Sequence, residues 1–96
     1  MTGKRKAYEE KFDAQLQEWN AQIALLKAKA DKAKAEAKIE YYKTIEALQH
    51  KHDMARVKLQ ELTAAGDGAW EDLKTSAEKA WVEVKTALHG AASKFK

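Results

Sequence analysis

Apolar residues recur along the first two thirds of the chain at alternating steps of three and four: Leu16, Trp19, Ile23, Leu26, Ala30, Ala33 and Ala37. That spacing is a heptad seam on one face of a helix. A second block reads Ile45, Leu48, His52, Ala55, Leu59 and Leu62, and steps of four through Tyr41 join the two. Tyr8, Phe12 and Leu16 also step by four. Insertions of this kind are stutters, which locally unwind a left-handed supercoil. Between 7 and 65 Ala, Lys, Glu, Gln and Leu dominate, all strong helix formers, with no Gly or Pro to stop them. The pattern predicts one long helix over 7–65, about 90 Å at 1.5 Å per residue.

Gly66-Asp67-Gly68 is the one clear turn signal. Gly66 suits a left-handed cap at the end of the first helix and Asp67 suits the N-cap of a second, with Glu71 and Asp72 in its first turn. Apolar residues then fall at Trp70, Leu73, Ala77, Trp81, Val84, Leu88, Ala92 and Phe95. Ala69–Thr75 recurs as Ala80–Thr86, an offset of eleven residues that gives a nearly straight apolar stripe. The expected organisation is a disordered basic tail over 1–6, a long stuttered heptad helix over 7–65, a turn over 66–68 and an amphipathic hendecad helix over 69–96. The fold class is all-α: a long coiled-coil helix on which the shorter one folds back as an antiparallel hairpin.

In that hairpin Tyr41, Ile45, Leu48, Leu59 and Leu62 pack against Trp70, Leu73, Trp81, Val84, Leu88 and Phe95. Pairing outward from the turn puts Trp70 near Leu62, Trp81 near His52, and Phe95 near Ile39 and Tyr42. The seam of Leu16, Trp19, Ile23, Leu26, Ala30 and Ala33 then has no partner in the chain. A stripe of that length does not stay in water, so it predicts an intermolecular interface. The chain reads as a homo-oligomer or a subunit of a larger assembly.

Composition narrows the function classes. In 96 residues there is no Cys and no Pro, which excludes a disulfide scaffold and any Cys-based zinc or redox site. The net charge of +3 is mild, and no run of four basic residues occurs. No apolar stretch approaches the roughly 18 residues of a spanning helix, and no h-region follows Lys4-Arg5-Lys6, so the expected compartment is the cytoplasm. His50, His52 and Asp53 invite a metal reading, but two His at i and i+2 point about 200° apart on a helix. His52 in the seam reads as structural, perched beside Trp81. No nucleophile sits beside a base, no Gly-rich loop could cradle phosphate, and no catalytic, cofactor or metal residue is assigned.

Two binding readings stand beside the structural one. The hendecad, with its Trp and Lys, is also how lipid-surface helices are built, although its charges sum to zero. The tract from Lys27 to Lys38 is basic, yet interspersed acids and the lack of Arg weigh against nucleic acid.

The stretch from Leu16-Gln17-Glu18-Trp19 through the Lys-Ala tract and Ile39-Glu40-Tyr41 to Gly66 and Ala69-Trp70-Glu71-Asp72-Leu73-Lys74 resembles short bacterial coiled-coil proteins, often described as stress-response-associated or uncharacterised. The resemblance spans about Tyr8 to Phe95. It implies an all-helical, non-enzymatic protein and brings no ligand residues. Gly68, Val82 and His89 depart from the pattern, where more charged or Ala-like residues would fit. The periodicity is also similar, more weakly, to late-embryogenesis-abundant and apolipoprotein-type helices.

Overall fold

The computed structural model describes residues 2–95 and arranges them in three helices, α1 (Thr2–Asp31), α2 (Ala35–Ala64) and α3 (Asp67–Lys94). The class is all-α, with no strand among the described residues. The helix expected over 7–65 is two helices, because the chain turns back at residues 32–34. α1 runs antiparallel to α2 and α2 antiparallel to α3, in a bundle of 51 × 18 × 17 Å.

Two magnitudes explain the bend. A straight helix would leave Phe12, Leu16, Trp19, Ile23 and Leu26 in water, and the bend buries all five. Each such burial contributes about 1.5–3 kcal/mol, against about 0.5–1.5 kcal/mol for each helical hydrogen bond given up. Five large side chains outweigh three residues of helix. Ala30 is fully buried at the bend, with Ala33 and Ala37 half-buried beside it, so the turning chain meets only methyl groups. α1 finishes on tightened bonds, Lys32 N–H to the Lys29 carbonyl (3.2 Å) and Ala33 N–H to the Ala30 carbonyl (3.1 Å). α2 starts at Lys34 with no side-chain cap.

The second junction is shorter than the expected 66–68 turn. Ala65 (φ −73°, ψ 145°) and Gly66 (φ −74°, ψ 164°) are both extended, and Asp67 is already the first residue of α3. Gly66 is therefore the N-cap of α3 and not a left-handed cap of α2, and Asp67 adds negative charge to the first turn. The tail expected to be disordered is also helical from Thr2 onward, while Met1, like Lys96 of the expected 69–96 helix, lies outside the described residues.

α1 and α3 both pack closely on α2, whereas their own backbones approach at few points. Rings bridge the gap. Tyr8 meets Trp70 edge-on (centroids 5.6 Å apart), and Trp81 meets both Phe12 (4.9 Å) and Trp19 (5.1 Å) in the same manner. The Trp residues of the hendecad thus find aromatic partners on α1, which the two-helix pairing did not include. Phe95 stacks on Tyr41 at 4.1 Å, while Ile39 stays exposed. Ala91, not Ala92, turns into the core near the end of α3.

Candidate interaction surface

The expected intermolecular seam is interior. Leu16, Trp19, Ile23, Leu26 and Ala30 are buried within the chain and Ala33 is half-buried, because α1 folds back against α2 and faces α3. Of the residues expected to pack the hairpin, Ile45, Leu48, Leu59, Leu62, Trp70, Val84, Leu88 and Phe95 are buried, and Tyr41, Leu73 and Trp81 are half-buried. They join the α1 seam in a single cluster. Periodicity identified the core-facing positions, but it could not say which copy of the chain would cover them.

At the α2–α3 end, Arg5 is the polar hub. The last turn of α2 has no basic residue of its own, so its free carbonyls and negative dipole end lack a local partner. Arg5 supplies one across the bundle. Its Nη2 donates to the carbonyls of Leu62 (3.0 Å) and Ala65 (2.5 Å), its Nη1 to the Asp67 carboxylate (3.2 Å), and its Nε to Glu9 (3.0 Å). Glu9 also accepts the Trp70 indole N–H at 2.9 Å. This set of bonds is the reason residues 2–6 are ordered as helix. Beside it, Lys74 lies over the rings of Tyr8 (5.1 Å) and Trp70 (5.6 Å). Burial pushes the Tyr8 phenol up to about 12, helped by the neighbouring Glu78 carboxylate.

The opposite end is held by exposed polar pairs. The Tyr42 hydroxyl donates to Asp31 across the bend, which raises the Tyr42 phenol above its ordinary value. Lys94 bonds Glu40 at 2.6 Å, holding that carboxyl below its ordinary value.

His52 is a buried structural residue. Its Nε2 lies 2.8 Å from the Leu16 carbonyl, which can only accept, so the ring carries its proton on Nε2. Nδ1 is left without a hydrogen-bond partner. Trp81, expected beside it, packs with Phe12 and Trp19 of α1. Among the described residues, no three His, Asp or Glu are grouped to hold a metal.

The surface most unlike ordinary solvated helix is the groove between α1 and α3. Below the aromatic rings the facing side chains become small, and the space is not filled. An open cleft of about 410 Å³ runs there, floored by Leu26, Leu88 and Ala92 and walled by Gln22, Leu25, Lys29 and Lys32. A second, separate cleft of about 310 Å³ between the same helices is lined by Tyr8, Lys11, Glu78, Trp81 and Val82. Leu25 is 67% exposed and Val82 57%, one on each helix flanking the groove. Neither belongs to a seam, and that was the available signal: Leu25 and Val82 are large apolar residues off the stripe of their helix. Arg5 gave no signal at all, because Lys4-Arg5-Lys6 reads as a solvated tail.

No protein-family model matches the chain, and neither a curated protein nor a solved structure matches it. No helix among the described residues is long and apolar enough to cross a membrane.

Proposed function

We propose that the protein is a non-enzymatic helical interaction module, self-associating or docking on a larger assembly, and that the α1/α3 groove is the surface it uses. One observation carries this reading: two open clefts lie between α1 and α3 beside a filled core, one lined by exposed Leu25 and the other by exposed Val82. Exposed apolar residues are ordinary singly, but one lining each of two clefts between the same pair of helices marks a surface shaped for an apolar partner. Lys29 and Lys32 edge the lower cleft with no carboxylate among its lining residues, which favours a partner that brings acidic groups. A stress-associated role and a cytoplasmic location belong to the same proposal.

The lipid-surface reading draws less support, because Trp70, Ala77, Val84, Leu88 and Phe95 of the hendecad are turned inward. Nucleic-acid binding rests only on the Lys-rich tract and comes third.

Sedimentation equilibrium over a concentration series tests the groove. For protein never exposed to denaturant and held in the micromolar range, the wild-type mass rises with concentration, and the Leu25→Glu, Val82→Glu double variant stays monomeric with unchanged helicity. A double variant that associates like the wild type overturns the assignment.

A further inference from the structure

The bend at residues 32–34 is composed only of helix formers. Lys32, Ala33 and Lys34 contain no Gly or Pro, and no side chain caps the start of α2. The apolar stripe also passes through in helical register, from Ala30 to Ala33 to Ala37. What closes the bend is tertiary: the burial of the α1 seam, and the Tyr42 hydroxyl on Asp31. An arrangement that buries the same seam without bending meets every local preference of the sequence at once.

We propose that two copies of this chain exchange α1. Residues 32–34 become helical, α1 and α2 fuse into one helix, and the α1 segment of each copy seats against α2 and α3 of the other. This goes beyond groove docking, since it buries the seam and leaves Leu25 and Val82 where they are. A fused helix from Thr2 to Ala64 is about 95 Å long at 1.5 Å per residue. Two bundles of 51 Å placed end to end have that span. Where the two fused helices pass, Ala30, Ala33 and Ala37 present only methyl groups, which permits close approach.

The interior is conserved through the exchange. The Phe12–Trp81 and Trp19–Trp81 packing, the His52 bond to Leu16 and the Arg5 bonds all re-form, now between copies. Helical hydrogen bonds are gained at both hinges. Within one copy the clasp from Tyr42 to Asp31 is broken, because eleven residues along a straight helix place them about 16 Å apart, and it re-forms only between copies. Opposing the exchange is the entropy of association, so concentration decides it.

The test compares two hinge variants with the wild type after refolding from denaturant at about millimolar concentration. Ala35 is the first residue of α2 and follows Lys34 at φ −65°, ψ 151°. Pro is favoured at such a position and after such a backbone, so Ala35→Pro suits the closed bundle. In a fused helix the same Pro costs about 3 kcal/mol, twice per dimer, or about a 10⁴-fold weaker dimer at 1.4 kcal/mol per tenfold. Deleting Lys32, Ala33 and Lys34 removes the residues needed to bend and should drive the chain to the dimer.

With Leu25→Glu and Val82→Glu in every chain, so that groove docking does not contribute, light scattering should find a dimer fraction when the hinge is unaltered, nearly all dimer in the deletion, and monomer in Ala35→Pro. Small-angle scattering of the dimer should give a maximum dimension about twice that of the monomer. The Leu25→Glu, Val82→Glu variant should still exchange, which separates this association from groove docking. In that background, a chain with the unaltered hinge that refolds only as monomer, or an Ala35→Pro variant that dimerises like it, overturns the proposal even if the deletion does not fold.

Discussion

The two ends of the bundle are closed by different means. Around the α2–α3 turn, the rings of Tyr8, Phe12, Trp70 and Trp81 pack on one another between α1 and α3, and Arg5 ties three helix ends together. Around the α1–α2 bend, the interior narrows to Ala30, Ala91 and a single Phe95–Tyr41 pair, the cleft stands open, and the turn is uncapped. One end is tied by interlocking rings and cross-bundle hydrogen bonds. The other has an open cleft and a segment whose conformation is decided by its surroundings.

The sharpest way to break that comparison is to hollow out each end in turn. Phe12 is fully buried between Tyr8 and Trp81, where rigid rings cannot collapse into a cavity. Phe12→Ala should lower unfolding stability by about 3–5 kcal/mol, enough to leave a domain of this size barely folded. Leu88 floors the open cleft, so water and neighbouring side chains can relax into the space it vacates. Leu88→Ala should fall near the low end for such truncations, about 2 kcal/mol. Urea denaturation of both variants measures the difference, and equal losses would mean that the two ends are packed alike.

Arg5 separates the ends by a polar route. Lys at this position keeps the charge but not the planar fork that reaches the α2 carbonyls and Glu9 together. Arg5→Lys should cost about 1–2 kcal/mol, since the part-buried bonds to carbonyls and Glu9 matter and the ion pair to exposed Asp67 adds little. Amide hydrogen exchange should quicken at the start of α1 and the end of α2 and stay unchanged at residues 32–34. Faster exchange at the bend would show that the two ends are coupled.

The same contrast explains what could be read from the residues. All-α structure follows from Ala, Lys, Glu and Leu abundance, and the junction near Gly66 follows from the one real turn signal. The core-facing positions follow from heptad and hendecad spacing. The bend at 32–34 was illegible because local propensity opposes it; the burial of residues far away in sequence decides it. For the same reason the seam of Leu16 to Ala30 was read as intermolecular. Arg5 was illegible because its role depends on carbonyls some sixty residues later, which no local spacing encodes.

Tyr8 offers the finest probe of the aromatic end. Its phenol stands at about 12 in the folded chain against 10.0 for an ordinary phenol, chiefly through burial and then through Glu78. The fold therefore prefers the neutral ring. Its contribution is fully present below the ordinary value near 10 and drains away as pH rises through the window up to about 12. Because Tyr8 is only half-buried, solvent screening keeps the effect smaller than any of the substitutions above. Lysines titrate in the same window, so the quantity to measure is the difference between wild type and Tyr8→Phe. The denaturation midpoint of the wild type should fall more steeply above pH 10 than that of the variant, while the two curves run parallel below it. Parallel curves throughout would mean that the Tyr8 hydroxyl is as free as an exposed one, and that the aromatic end is looser than its ring geometry implies.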